Sequence, residues 1–208
     1  MKPFRVSIRI SSSRMKRGLR RMEVLIKKRI KQVLKGDQNA FGEIVEMYKD
    51  KVFQISYRML GNRHEAEDIV QEAFIRAYVN IQRYNLELKF STWLYRITTN
   101  LCIDRIRKKK PDYYLDAEVK GTEGLTMYSQ VPSKTTLPED DVESLELQDT
   151  IQKEIMKLPE KYRSVIVLKY IEELSLKEIS EILEMPLGTV KTRIHRGREA
   201  LRKRLQHM

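Results

Sequence analysis

Seven cations face a single acid in "GTVKTRIHRGREALRKRL", residues 188–205: Lys191, Arg193, Arg196, Arg198, Arg202, Lys203 and Arg204 against Glu199. Guanidinium and ammonium groups at this density can hold phosphates, and Arg or Lys can also read guanine edges in a major groove. Placed at 100° per residue, Leu187, Val190, Ile194, Gly197, Leu201 and Leu205 form one stripe, and Lys191, Thr192, His195 and Arg196 lie on or near the opposite side. Gly197 on the apolar stripe predicts close approach of another helix. Two readings fit: a solvated basic surface helix, or a recognition helix that mixes short polar groups with cations. The preceding residues favour the second. Ser175 and Glu178 have capping-box spacing at the start of "SLKEISEIL", and "EMP" then makes a tight turn, so a capped helix, a turn and a basic helix follow in order.

A second cluster lies in "FSTWLYRITTNLCIDRIRKKK", residues 90–110. Phe90, Trp93, Leu94, Ile97 and Leu101 are expected along a buried side, with Arg96, Asn100, Ile103 and Arg107 on another. Lys108, Lys109 and Lys110 follow, and Tyr84, Trp93 and Tyr95 lie close by. Rings interleaved with cations suit unstacked single-stranded bases, whose phosphates the cations hold. Trp93 taken alone reads as core packing. Asp104 is placed toward the buried side, paired within the helix.

The third cluster carries a different chemistry. In "RHEAEDIVQEAFIRAYVNI", Ala66, Val70, Ala73, Phe74, Ala77, Tyr78 and Ile81 make the inward stripe, while Asp68, Glu72, Ile75 and Val79 lie opposite. Two β-branched apolar residues beside two carboxylates fit a protein contact with a charged rim. Scattered surface apolars are the other reading. Signatures of catalysis are missing. There is no P-loop and no H-E-x-x-H, His64, His195 and His207 are scattered, and Cys102 sits in a helix. No catalytic residue, metal ligand, cofactor or small-molecule substrate is expected.

These clusters must be carried by helices. The 208 residues allow one domain or two small ones, and a hydrophobic fraction of 41% supports a packed core. The formal charge of +12 favours a polyanionic partner. One cysteine excludes an internal disulfide and fits a reducing compartment. No apolar run spans a bilayer, so a soluble cytoplasmic protein without membrane insertion is expected. The pattern predicts an all-α chain. Residues 1–22 are a basic extension read as disordered, and Met22 is a second candidate start. Residues 23–110 form a four-helix domain, with Asp37 and Asn62 as caps. Residues 111–144 are a Pro-, Gly- and acid-rich linker. Residues 145–208 form a second helical domain in which Pro159 occupies the first helical position of "PEKYRSVIVLKYIEE".

The three surfaces in this order resemble the extracytoplasmic-function (ECF) group of bacterial RNA polymerase sigma factors. "NRHEAEDIVQEAFIRAYVNI" is similar to the core-polymerase-binding part of sigma region 2. "FSTWLYRITTNLCIDRIRKKKPDYYLD" is similar to its promoter-melting and −10-reading part. "LPEKYRSVIVLKYIEELSLKEISEILEMPLGTVKTRIHRGREAL" is similar to region 4, which reads the −35 element.

The resemblance implies that Asp68, Gln71, Glu72, Ile75 and Val79 meet the β′ clamp helices of core RNA polymerase, with the β subunit as a further contact. It implies a −10 DNA surface from Arg83, Tyr84, Asn85, Lys89, Ser91, Thr92, Trp93, Arg96, Asn100, Arg107 and Lys108, whose Arg83–Lys89 loop pockets a flipped base. Lys191, Thr192, His195 and Arg196 would read the −35 groove, with Thr189 and Arg193 on phosphates. It also implies an anti-sigma factor, membrane-anchored and released by envelope stress. The rival classes are a self-standing helix-turn-helix regulator, which binds an operator without polymerase, and an adaptor whose basic faces show no sequence preference.

Overall fold

The computed structural model describes residues 12–109 and 149–206; the acidic linker at 111–144 lies outside them. The described residues are helical, with no strand among them. The first helix, α1 (Ser12–Val33), starts ahead of the expected boundary at Met22, so part of the segment read as a disordered extension is helix. It is followed by α2 (Gln38–Leu60), α3 (Arg63–Val79), a 3₁₀ turn (Ile81–Arg83) and α4 (Phe90–Lys109). Beyond the linker come α5 (149–156), α6 (Glu160–Ile166) running into a π-helical turn (Val167–Ile171), α7 (Leu176–Ile182) and α8 (Leu187–Leu205).

The helix starts follow from local chemistry. Asp37 accepts from the Ala40 amide at 3.3 Å, and Asn62 from the Glu65 amide at 3.0 Å. Glu65 does not reach back to complete a box; it pairs with Lys109 of α4. Ser175 and Glu178 do complete one. The Glu178 amide donates to Ser175 Oγ at 3.2 Å, and the Ser175 amide donates to Glu178 Oε2 at 2.9 Å. Pro159 stands at the N-cap of α6, one residue before the expected position. Replacing Ser175 by Ala should lower unfolding free energy by about 1 kcal/mol, measured by denaturant titration, because the Glu178 amide at the helix start loses its acceptor. An unchanged midpoint would mean that water replaces the cap.

The apolar core runs unbroken from the first four helices into the last four. Ile26, Ile30, Ile44, Ile55, Met59 and Leu94 pack in the first domain, and Ile155, Leu168, Ile179, Ile182 and Val190 continue the cluster in the second. The seam between the domains is well fitted. A Cβ on Gly61 would lie 2.9 Å from Met156 Sδ, and Gly61 also needs its positive φ of 69° to end α2. Arg163, buried and among the described residues without a carboxylate at hydrogen-bond distance, donates to the carbonyls of Met59 (2.7 Å), Leu158 (3.0 Å) and Met156. Burial lowers the pKa of its guanidinium. Gln152 takes Arg58 Nη1 at 3.0 Å and donates to the carbonyls of Tyr57 and Arg58.

Candidate nucleic-acid and partner interfaces

All five residues assigned to polymerase contact are exposed on α3: Asp68, Gln71, Glu72, Ile75 and Val79. Ile75 is 60% and Val79 71% exposed, high values for β-branched apolar residues in a helix middle and end. The buried side of α3 holds Ala66, Ile69, Ala73, Phe74 and Ala77. It differs from the expected stripe in Ile69, which is buried, and in Tyr78, which is 40% exposed. Glu72 accepts from Arg76 Nε at 2.7 Å, and Asp68 pairs with Arg105 of α4 at 3.7 Å. Asp68, Gln71, Glu72 and Ile75 line one shallow groove with Arg105 and Lys108 of α4.

The aromatic and cationic cluster at α4 divides into two layers. Tyr84 is 7% exposed, so the expectation that it offers a free ring is corrected. Its ring packs on Phe90 (centroids 5.5 Å apart) and Trp93 (5.1 Å), its hydroxyl donates to the Leu88 carbonyl, and burial pushes its pKa up to about 12. Tyr84 therefore shapes the loop from below. Tyr95 is likewise buried, against Tyr48. Trp93 and Ile97 are half-buried rather than core. Asn85, whose side chain accepts from the Glu87 amide at 2.9 Å, is exposed together with Arg83 and Lys89. Ser91, Thr92 and Arg96 are half-buried, whereas Asn100, Arg107 and Lys108 are exposed. Asp104, placed inward by its spacing, is exposed, and Arg105 turns to Asp68 instead.

The inward positions go to Thr98, Thr99 and Cys102. The two hydroxyls donate to the Leu94 (2.9 Å) and Tyr95 (2.6 Å) carbonyls one turn back, which satisfies them inside the core. Burial pushes the Cys102 thiol up to about 12, which leaves it unreactive.

The C-terminal pair is a helix-turn-helix. After α7, Glu184 takes a left-handed φ of 50°, Ser180 Oγ donates to the Met185 carbonyl at 2.6 Å, and Pro186 opens α8. Val190 and Gly197 are the buried residues of α8, while Leu187 and Leu205, at its two ends, are more than a third exposed. The close approach expected at Gly197 is present: a Cβ there would lie 2.9 Å from Ile166 Cγ1 and 3.4 Å from Tyr162 Cβ of α6. Lys191, Thr192, His195 and Arg196 are exposed on the outer side, with Thr189 and Arg193 half-buried at its edge. Among the described residues, Lys191, Arg193 and Arg196 have no ion-pair partner.

Two family models match the chain: Sigma-70 region 2 over residues 44–111, and Sigma-70 region 4 over residues 148–201. The ECF RNA polymerase sigma factor SigW of Bacillus subtilis (strain 168) is 74% identical over 187 residues, which span 90% of this chain and 100% of that protein. The chain belongs to the ECF sigma factors. An ECF sigma factor is a transcription initiation factor of RNA polymerase and not an enzyme. The chain binds core RNA polymerase and directs initiation at promoters. The all-helical arrangement of an ECF sigma factor is also found in solved structures. One is CnrH in complex with the cytosolic domain of CnrY, with a TM-score of 0.65, 23% identity, and 88% of this chain and 98% of that one covered. Another is the sigma factor RpoE in complex with the anti-sigma factor NepR from Bartonella quintana, with a TM-score of 0.58, 20% identity, and 80% and 96% covered. At these identities the likeness is one of fold alone. Among the described residues no helix is long and apolar enough to cross a membrane.

Proposed function

We propose that this ECF sigma factor divides its work among three helices: α3 docks on core polymerase, α4 with the loop before it captures the −10 strand, and α8 enters the −35 major groove. The observation that supports this most directly is the outer face of α8. Two cations and two short polar or imidazole groups stand exposed at positions 191, 192, 195 and 196 of a helix-turn-helix, and among the described residues no acid pairs with the cations. Lys191 and Arg196 suit guanine edges, Thr192 and His195 lie between them, and Thr189 and Arg193 sit at the edge where phosphates run. The exposed Arg83, Asn85 and Lys89 of the preceding turn and loop, with Asn100, Arg107 and Lys108 of α4, would hold an extruded strand above Trp93 and the buried Tyr84. Capturing an unstacked base offsets the few kcal/mol of unstacking and favours the open duplex.

The working compartment is the cytoplasm, where polymerase and promoter are found. An anti-sigma factor is the expected regulator, since a protein of the same fold is seen with one. A membrane-anchored form of that partner, released in a cell-envelope stress response, is part of the proposal.

The test is transcription by core polymerase freed of other sigma factors, given a promoter pool, with transcripts sequenced. Starts at one promoter class that need the protein support the reading. Specific duplex binding without polymerase would favour a self-standing regulator instead. Within the recovered class, Lys191→Ala should weaken binding by about 1–3 kcal/mol at promoters carrying one particular −35 base pair. A uniform loss with a shallower salt dependence would make Lys191 a phosphate contact.

A further inference from the structure

The first helix carries a cationic face that the three assigned surfaces do not use. The core side of α1 is Ile26, Ile30 and Val33. At 100° per residue the opposite side is Val24, Lys27, Lys28, Lys31 and Lys35, and these residues line one shallow groove with Gln32. Val24 is 70% exposed, and Lys28, Lys31 and Lys35 are exposed beside it. Among the described residues none of the four lysines has an ion-pair partner. Other cations of the same domain are answered by an acid. Arg29, on another side of α1, lies 2.7 Å from Glu43 of α2, and Arg107 of α4 lies 3.0 Å from Glu160.

This stripe begins beside the −10 loop. α1 packs along α2 and touches α4. Glu23 stands close enough to the loop to act on Tyr84. Burial is the main reason that the Tyr48 and Tyr84 hydroxyls titrate high, and the Glu23 carboxylate adds to both. Glu23 and Lys27 are four residues apart and share a side of α1, so the lysines start on the loop side and run away from it to Lys35.

The chemistry of the stripe differs from that of α4 and α8. Its lining holds ammonium groups on aliphatic stems and no aromatic ring on which an unpaired base could stack. Lysine is a compact point charge on a flexible stem, suited to phosphate oxygens rather than to a fixed base edge. From Val24 to Lys35 the face is about 16 Å long, close to the axial length that about five phosphates of one duplex strand occupy. Such a face complements the outside of paired, stacked DNA. We propose that α1 binds the phosphate backbone of the duplex adjoining the −10 element, through Lys27, Lys28, Lys31 and Lys35, without reading its sequence. The proposal rests on the assignment of −10 capture to the loop before α4, because that loop brings the duplex to α1.

The experiment uses the full chain bound to core polymerase and a labelled promoter fragment recovered by sequencing, titrated at several salt concentrations. Lys28→Gln, Lys31→Gln and Lys35→Gln are combined, since these side chains are exposed and Gln is nearly as good a helix former as Lys. Thermal unfolding of the free variant should match the parent. Promoter binding should weaken about tenfold or more at ~0.1 M salt, and the dependence of log affinity on log salt should become shallower by about two to three units, as expected for three lost duplex phosphates. The loss should be the same when the base pairs flanking the −10 element are changed. Lys28→Arg, Lys31→Arg and Lys35→Arg together should keep the parent's affinity, because the charges remain.

An unchanged salt dependence overturns the proposal. So does a loss confined to one flanking sequence, which would make the stripe a base reader. Weaker binding to core polymerase in the absence of DNA would put an acidic polymerase surface on the lysines. Tighter DNA binding by the Gln variant would mean that an acidic segment of the chain itself covered them. Either result overturns the duplex contact. Failure of the underlying reading looks different. Lys89→Ala with Asn100→Ala should also weaken promoter binding in this assay. If that pair binds like the parent while the lysine variant does not, the −10 assignment fails and α1 keeps its phosphate contact.

Discussion

Truncating Ile75 and Val79 together to Ala should weaken binding to core RNA polymerase about a hundredfold and leave the fold intact. Both side chains project from α3 into solvent, 60% and 71% exposed, so removing them creates no cavity in the free protein. Alanine is the best helix former, so α3 itself does not suffer. In a complex the pair would form a desolvated apolar spot bordered by Asp68, Gln71 and Glu72. Residues at such a centre cost more than about 1 kcal/mol each when truncated, and about 3 kcal/mol for the pair is roughly two orders of magnitude in affinity. Titration of labelled protein into core polymerase measures the loss, and thermal unfolding provides the control. Unchanged affinity would remove α3 from the polymerase interface. A lowered melting temperature would instead mean that the residues act through the fold.

Gly197→Leu should be the most damaging single substitution in the second domain. Gly in a helix middle costs about 1 kcal/mol against Ala, so α8 carries that residue for a packing reason. The reason is α6: the Cβ position lies 2.9 Å from Cγ1 and 3.2 Å from Cδ1 of Ile166, a β-branched side chain with little rotamer freedom in a helix. Gly197→Ala sets a propensity gain against a contact that Ile166 must relieve by moving, and the two nearly offset. A Leu side chain has no such exit and forces α8 off α6. Overpacking of this kind costs about 1–3 kcal/mol, and here it also displaces the reading side of α8. Denaturant unfolding should show the loss, and binding to a −35 duplex should fall with it. Arg196→Ala, which removes an exposed side chain, should lose DNA affinity at unchanged stability. If Gly197→Leu folds and binds like the parent, the α6–α8 contact is not as close as described.

Much of the local order was legible because it rests on interactions within four residues along the chain. The caps at Asp37, Asn62 and Ser175, the breaks at Gly61 and Pro186, and the polar outer side of α8 follow from hydrogen-bonding capacity and helical period alone. Gly197 was legible for a related reason: a glycine on an apolar stripe is a cost unless another backbone comes close. The exposure of Ile75 and Val79 also followed from period, since Ala73, Phe74 and Ala77 occupy the opposite side.

The −10 surface was harder to read. Tyr84 and Tyr95 carry a hydroxyl and an aromatic face, which suit a base-stacking platform as well as a core. Their burial depends on Tyr48 and Phe90 arriving from elsewhere. Thr98 and Thr99 look polar in sequence, but a hydroxyl bonded to its own helix one turn back can enter the core without penalty. Asp104 went the other way, because the inward positions of α4 were already filled by Thr98, Leu101 and Cys102.

The sequence by itself determined an all-helical chain, its helix starts, its two family regions and the chemical character of three surfaces, because these depend on residue type and short-range spacing. Tertiary structure alone decided that Arg163 is buried against the Met59 carbonyl, that Met156 lies over Gly61, and that Lys89 and Arg96 are held by α7. These contacts join residues about 85 to 104 positions apart. An exposed cation and a cation paired across domains are the same letter in the chain, and only the packing of one domain on the other distinguishes them.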